Sequence, residues 1–434
     1  MNYDFSHQTK KTARVRSLFV AANHKEAKRM RKLNFLLAAI FVLVLAVTLS
    51  PAQAQTQNFV ALHQFNSQTD GAFSEGALLR DAAGNLYGTT TSGGPGLDNG
   101  TVFKVDSTGQ EKVLFAFGAF ISGDFPTGTL AQDTVGNLYG IAGGGPGGAG
   151  VIYKLSQQGE QQILFAFQGG LDNDNPKGPS GGLLLEKSGD LFGTAEFGSN
   201  TGCEIGCGSL FRLDTTGVLH LLHKFTGGSD GGKPIGPLVQ DADGSLYGVA
   251  QSGGDLSCLD PDPHSSNLGC GTVFKFSRTT RVFTVLHRFH GGLNGSVPQG
   301  GLLLDGAGNL YGTTVRGGTN ENGTVFQISK DGTYTVLHRF RKAEGVNPNG
   351  GLVLDEAGNL FGTAQLGGAL NLGTVFQLSP DRVLTVLHSF AGLEDGAVPF
   401  AGLIRDQAGH LFGTTVKNFL IQPIQGGNVF EIRP

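Results

Sequence analysis

The chain has 434 residues, of which only 15% are charged and 71 are glycine. That glycine share is about twice the usual one and follows no collagen-like period, so it points to many tight turns between short strands. With 39% hydrophobic residues and no long charged tract, an intrinsically disordered chain is excluded.

The first 54 residues stand apart. They hold nine Lys or Arg against Asp4 and Glu26, then an apolar run over 35–49, then Ser50-Pro51-Ala52-Gln53-Ala54. A basic flank, a short apolar core and a small-x-small site predict a secretory signal peptide cut after Ala54. Met30 directly precedes the apolar run and is a candidate true start. An uncleaved anchor is the rival reading, although 15 apolar residues are short for a membrane span. No Cys follows the cleavage site, which argues against a lipid anchor. The remaining chain, 55–434, carries 22 basic and 33 acidic residues, a net of −11. Such an acidic exported chain is a poor partner for nucleic acid.

From residue 59 onward four short signatures recur in fixed order. An apolar strand ends in Phe at Phe65, Phe117, Phe167, Phe225, Phe289, Phe340 and Phe390, spaced by 52, 50, 58, 64, 51 and 50 residues. Between these come Gly-Leu-Leu-Leu-Asp or a variant (301–305), Asn-Leu-Tyr-Gly-Thr (85–89 and 309–313) and Gly-Thr-Val-Phe (100–103, 323–326 and 373–376). Each is β-branched or aromatic and bounded by turn residues, so each reads as a strand. Four antiparallel strands per unit of about 50 residues is the pattern of a β-propeller blade. In blade order these are strands A (GLLLD), B (NLYGT), C (GTVF) and D (ending in Phe). The array opens on a lone D strand at 59–65 and ends on a lone A-B-C set at 402–405, 411–415 and 427–432. Pairing the two ends completes a seventh blade and removes exposed edges. The expected fold is therefore all-β: one seven-bladed propeller of four-stranded antiparallel blades over 55–434, closed by its N-terminal strand.

The units resemble the bacterial GloVer repeat, an extracellular tandem repeat with the pattern L-H-x-F, G-L, D-x-x-G-N-L-Y-G-T-T and G-T-V-F. Blades five and six match nearly throughout, at 285–289, 301–305, 309–314 and 323–326. The likeness extends over 59–434, and the A–B segment is also similar to propeller repeats in the sensor regions of some two-component regulators. Phe115 and Phe165 depart from it by replacing the strand-D His, as does His410 by standing where Asn is usual. The resemblance implies secretion and a repeat scaffold. It supplies no agreed activity, so no functional residue is carried over from it.

The A–B turns, such as Asp81-Ala82-Ala83-Gly84-Asn85 and 305–309, place an Asp where it can bond backbone amides, so their repeated Asp reads as turn chemistry. The B–C and D–A loops share the other face and vary in length, which makes that face the expected ligand face. All four cysteines lie there. Pairing within each loop, Cys203 with Cys207 and Cys258 with Cys270, is the simplest of three connectivities in an exported chain. A zinc site with His264 is the alternative. Oxygen-rich D–A loops make Asp172, Asp174, Asp230 and Asp395 weak calcium candidates against ordinary turn chemistry. The strand-D histidines His63, His223, His287, His338 and His388 read as half-buried packing residues, because Phe replaces them elsewhere. Two Gly-x-Ser-x-Gly matches, at 178–182 and 227–231, fall between strands and lack the strand-to-helix setting of a nucleophile elbow.

No catalytic constellation or cofactor motif breaks the repeat. The expected function is a non-enzymatic extracellular scaffold that binds a protein, an envelope component or a glycan. The absence of Trp weakens the glycan. The alternative is a secreted propeller hydrolase or lyase with polar groups at the central channel, for which Gln132 and Gln240 are the polar exceptions on otherwise apolar A strands.

Overall fold

The computed structural model describes residues 59–433 except 97, 119–120, 170–174, 200–202, 204, 259–268, 393 and 418–425. The expected leader, its cleavage site and Met30 lie outside the described residues. Residues Asn58–Pro434 form one compact unit, and among the described residues no helix is long and apolar enough to cross a membrane.

Among the described residues the fold is all-β, relieved by two short 3₁₀ turns at Gly292–Asn294 and Thr319–Glu321. Strand β1 (Phe59–Gln64) is followed by a meander of β2 (Leu79–Arg80), β3 (Leu86–Thr90), β4 (Thr101–Val105) and β5 (Glu111–Ala116). The next two meanders are β6 (Asp124–Gln132), β7 (Leu138–Gly143), β8 (Gly148–Leu155), β9 (Gln161–Gln168), and β10 (Pro176–Leu185), β11 (Leu191–Gly198), β12 (Ser209–Leu213), β13 (Leu219–Lys224). Then come β14 (Gly232–Gln240), β15 (Leu246–Ser252), β16 (Thr272–Ser277), β17 (Val282–Arg288), and β18 (Leu303–Leu304), β19 (Leu310–Thr314), β20 (Thr324–Ile328), β21 (Tyr334–Arg339). The last are β22 (Val353–Leu354), β23 (Leu360–Ala364), β24 (Thr374–Leu378), β25 (Leu384–Ser389), and β26 (Ile404–Arg405), β27 (Leu411–Thr414), β28 (Asn428–Ile432).

These strands make a β-propeller arrangement of five separate four-stranded antiparallel sheets and one eight-stranded sheet. The sequence leads one to expect only separate four-stranded blades. The eight-stranded sheet arises because the inner strands β6 and β10 approach so closely that Gly182 and Thr129 form a parallel bridge. Within it, β6–β9 and β10–β13 each remain an antiparallel meander. The expected closure is present: β1 pairs antiparallel with β28, Phe59 opposite Ile432, so the N-terminal strand completes the sheet of β26–β28.

Two of the recurrent signatures depend on each other through packing. The Phe of Gly-Thr-Val-Phe is fully buried at Phe103, Phe326 and Phe376. A Cβ on Gly312, the glycine of Asn-Leu-Tyr-Gly-Thr, would stand 2.6 Å from Cζ of Phe326 on the neighbouring strand. Glycine on strand B is what leaves room for the aromatic ring on strand C. The strand-D Phe then joins one sheet to the next, edge-on to the following strand-C ring. Phe289 lies 5.3 Å from Phe326, Phe340 5.0 Å from Phe376, and Phe390 5.5 Å from Phe430. Phe65 on β1 meets Phe103 at 4.9 Å and so returns the series to its beginning. Edge-to-face pairs of this kind add about 0.5–1.5 kcal/mol each beyond their buried area.

The A–B turns are held as their composition implies. Asp305 accepts hydrogen bonds from the Ala307 and Asn309 amides at 2.9 and 2.8 Å, from the Asn309 side chain at 2.8 Å and from the Tyr311 hydroxyl at 3.1 Å. Burial alone would raise this carboxyl, but the four donors hold it below the ordinary Asp value. Asp81, Asp133, Asp241 and Asp355 are lowered in the same way.

Candidate functional site

Each inner strand is entered through the same short run: a residue of left-handed backbone, usually Pro, a variable residue, then a small one. The run reads Phe73-Ser74-Glu75-Gly76 before β2 and Val297-Pro298-Gln299-Gly300 before β18. Val297 and Val398 sit at φ 58° and 57°, a conformation that is strained for β-branched side chains. Backbone bonds on both sides hold it. The Val297 amide donates to the Cys270 carbonyl at 2.9 Å, and the Val297 carbonyl accepts from the Val315 amide at 3.1 Å. Lys233, at φ 52°, likewise donates from its amide to the Cys207 carbonyl at 2.8 Å. The cysteines before strand C are therefore the anchor points for the next inner strand.

The glycines that follow bring backbone against backbone around the centre. A Cβ on Gly350 would stand 2.6 Å from the Ala401 carbonyl oxygen, so this position tolerates almost nothing larger than hydrogen. The residue just before it escapes that restriction. Glu75, Thr127, Ser180, Ile235, Gln299, Asn349 and Phe400 occupy this place in turn, and all line one cavity of about 490 Å³. Glu196, near the end of β11, joins them. The cavity thus opens at the B–C and D–A end of the sheets.

Its polar groups are short of partners. No hydrogen bond among the described residues reaches the carboxylates of Glu75 or Glu196, and burial raises both above the ordinary Glu value, with Lys233 drawing Glu196 partly back. Asn349 is 7% exposed, and among the described residues its Oδ1 has no hydrogen-bond partner. Ser180, the serine of the first Gly-x-Ser-x-Gly match, lies in strand β10 and not in a loop. Its hydroxyl donates to the Pro234 carbonyl at 3.0 Å, which ties it to the neighbouring strand.

A larger cleft of about 990 Å³ opens at the other end, lined by Asp241, Tyr247, Lys275, Asp305 and Lys330 among others. Several of its polar groups satisfy one another. The Tyr247 hydroxyl donates to Asp241 at 2.8 Å, and Lys275 Nζ lies 3.6 Å from Asp241.

Both within-loop disulfides are formed, Cys203–Cys207 and Cys258–Cys270, with Cα separations of 5.2 and 5.7 Å. Bonding the sulfurs to each other removes the zinc alternative; His264 lies outside the described residues. Of the calcium candidates, Asp172 and Asp174 also lie outside them. Asp230 accepts from His223 Nε2 at 3.0 Å and from the Thr226 amide at 3.1 Å. Asp395 is 3.0 Å from His388 Nε2 and accepts from the Ala391 amide at 2.8 Å. Both carboxylates close their own D–A loop. The strand-D histidines pack as aromatic plates as well: His223 stacks on Phe283 at 3.6 Å and His287 on Tyr334 at 3.7 Å. Gln240 does not face the channel mouth; its amide donates to Glu186 at 2.7 Å.

The family model of the Gloeobacter/Verrucomicrobia repeat matches residues 47–179 and 263–434, well over half of the chain. The protein belongs to this repeat family. The interval between the two stretches holds Cys203, Cys207 and Cys258. No match was found among curated proteins. Among solved structures, the fold is similar to the extracellular domain of a protein described as a hybrid two-component system from B. thetaiotaomicron, at TM-score 0.53 and 12% identity. That likeness covers 86% of this chain and 40% of the other, so the chain spans less than half of that domain's length. An oligogalacturonate lyase from Vibrio parahaemolyticus is similar at TM-score 0.50 and 10% identity, over 86% of this chain and 93% of the lyase. At such identities the likeness concerns the fold alone.

Proposed function

We propose that this member of the repeat family is an exported, non-enzymatic binding scaffold, secreted, periplasmic or at the cell surface, whose ligand sits at the channel mouth on the B–C and D–A face. Counting the eight-stranded sheet as two blades gives seven, the last completed by β1. The observation that carries the choice of face is the set of unmatched polar groups there. Glu75, Glu196 and Asn349 retain hydrogen-bonding capacity, whereas groups in the opposite cleft pair with one another. Desolvated acceptors favour a ligand that donates: a basic protein segment, an envelope component or a hydroxyl-rich glycan. The disulfides and the fold of the similar extracellular domain support placement outside the cytoplasm.

A panel of glycans, secreted proteins and envelope fractions, probed with the chain and with a variant whose B–C loops before β12 and β16 are cut to the length of that before β20, tests the face. Binding that weakens in the variant supports it; unchanged binding overturns it.

One observation favours a second reading, a hydrolase or lyase. Two carboxylates whose proton affinity is raised line one cavity, as general acid–base chemistry requires. Turnover of any polysaccharide in the panel, abolished by Glu75→Gln or Glu196→Gln, would establish it in place of the scaffold.

A further inference from the structure

We propose that His63, Asp70 and Glu111 form a binding site for a single divalent cation of the zinc type. His63 lies near the end of β1, Asp70 in the loop that follows, and Glu111 at the start of β5 on the next sheet. One donor atom from each lies within 4.8 Å of the other two.

Two of these three groups belong to a repeating device. His63 Nε2 is 3.1 Å from Asp70 Oδ2, and the same pairing recurs as His223–Asp230, His338–Glu344 and His388–Asp395 at 3.0, 2.9 and 3.0 Å. The pair alone is therefore a way of holding the D–A loop. The third group sets this copy apart. The residue six before the strand-D Phe is Phe59, Glu111, Gln161, Leu219, Phe283, Tyr334 or Leu384, and Glu111 is the one acid in the series. Where that residue is aromatic it covers the preceding histidine, as Phe283 stacks on His223 and Phe59 on His388 at 4.4 Å. At the β1 copy a carboxylate replaces the apolar cover.

That replacement is costly without a cation. Oε1 of Glu111 is buried and has no hydrogen-bond partner among the described residues, and burying an uncompensated carboxylate is unfavourable. A divalent ion would offset both the lost hydration and the repulsion between the two acids. One imidazole nitrogen with two carboxylate oxygens suits zinc or a similar first-row ion and leaves a fourth position for water. Calcium, which takes six to eight oxygen ligands, would be underserved. Bonds of about 2.0–2.2 Å in tetrahedral geometry need donors about 3.4 Å apart, near the 3.1 Å already between His63 and Asp70, so any approach on binding falls to Glu111. Asp70 is already oriented, because its Oδ1 accepts the Asn66 amide at 2.6 Å.

Titration calorimetry of the chelator-stripped full chain with Zn²⁺, and separately with Ca²⁺, tests the assignment. The expected result is one Zn²⁺ per chain, no Ca²⁺ heat at the same concentrations, and a loss of about tenfold or more in Zn²⁺ affinity in Glu111→Gln. Gln161 stands at the equivalent place in another sheet, so Glu111→Gln preserves the fold, checked by its circular dichroism. Glu344→Gln, which alters a His–carboxylate pair with no second carboxylate beside it, should leave Zn²⁺ affinity unchanged. Absence of stoichiometric Zn²⁺ binding, or a Glu111→Gln affinity within about threefold of the parent, overturns the site.

Discussion

Replacing Gly312 by alanine inserts one methyl group against an aromatic ring that is fully enclosed. The new Cβ would lie 2.6 Å from Cζ of Phe326 and 3.1 Å from Cδ2 of Leu302, against an optimum of about 3.5–4.0 Å between carbons. Relief requires the ring to retreat by about 1 Å into a close-packed interior, an overpacking cost of about 1–3 kcal/mol. Gly312 has no left-handed backbone to preserve, so alanine also recovers about 0.4–1 kcal/mol by restricting the unfolded chain. The net expectation is a loss of up to about 2.5 kcal/mol. The chain has no Trp, so urea unfolding is followed by far-ultraviolet circular dichroism. Phe326→Leu is itself destabilising by roughly 1–2 kcal/mol, but it removes the atoms that the methyl strikes. In that background Gly312→Ala should be neutral or stabilising, a coupling of about 1–2 kcal/mol. Equal costs of Gly312→Ala in the two backgrounds would refute the claim that glycine on strand B exists to admit the ring.

Tyr153 takes the place of that Phe in β8, fully buried and with no partner for its hydroxyl. Tyr153→Phe should raise stability by about 1 kcal/mol, and a lower urea midpoint would contradict this. His388 is 5% exposed, stacks on Phe59 and bonds Asp395. His388→Ala should cost about 1–3 kcal/mol, and His388→Phe less, because Phe115 and Phe165 fill the equivalent place; equal unfolding midpoints for the two variants would rule this out. The turn carboxylates Asp81, Asp133, Asp241, Asp305 and Asp355 titrate below their ordinary value of 3.8. A depressed carboxyl stabilises fully above the unfolded value and loses that contribution as pH falls through the folded one. Denaturation midpoints should therefore decline below about pH 4, less steeply in Asp305→Asn, and an unchanged slope in that variant would show that the turn is not the source.

Much of the fold is legible in the sequence because a short repeat states it again and again. Strand type, the Asp-centred A–B turn and closure by the N-terminal strand all follow from residues that recur at fixed offsets. The merging of two meanders through Gly182 and Thr129 does not, because a backbone bridge leaves no trace in side-chain identity. The channel mouth is the more instructive case. Glu75, Gln299 and Asn349 stand just before the recurrent small residue, where they read as loop variation beside a conserved-looking pattern; only the closure of the sheets brings them to one cavity. Their signal was available as the changing residue just before a recurrent small one. The histidines and the acids six or seven residues on invite separate readings, packing for one and calcium for the other. The turn of the D–A loop makes them partners, a pairing that their recurrent spacing marks only once the loop is seen to fold back.

Where ligand binds is the most direct test of the proposed face. The chain, a channel-mouth variant (Glu75→Gln, Glu196→Gln and Asn349→Ala together) and an opposite-cleft variant (Lys275→Ala with Lys330→Ala) should be compared by equilibrium binding to any member of the panel that the parent retains. Loss of about tenfold or more in affinity in the channel-mouth variant, with the opposite-cleft variant unchanged, is the expected result. Full affinity in the channel-mouth variant, with loss in the opposite-cleft variant, would contradict it.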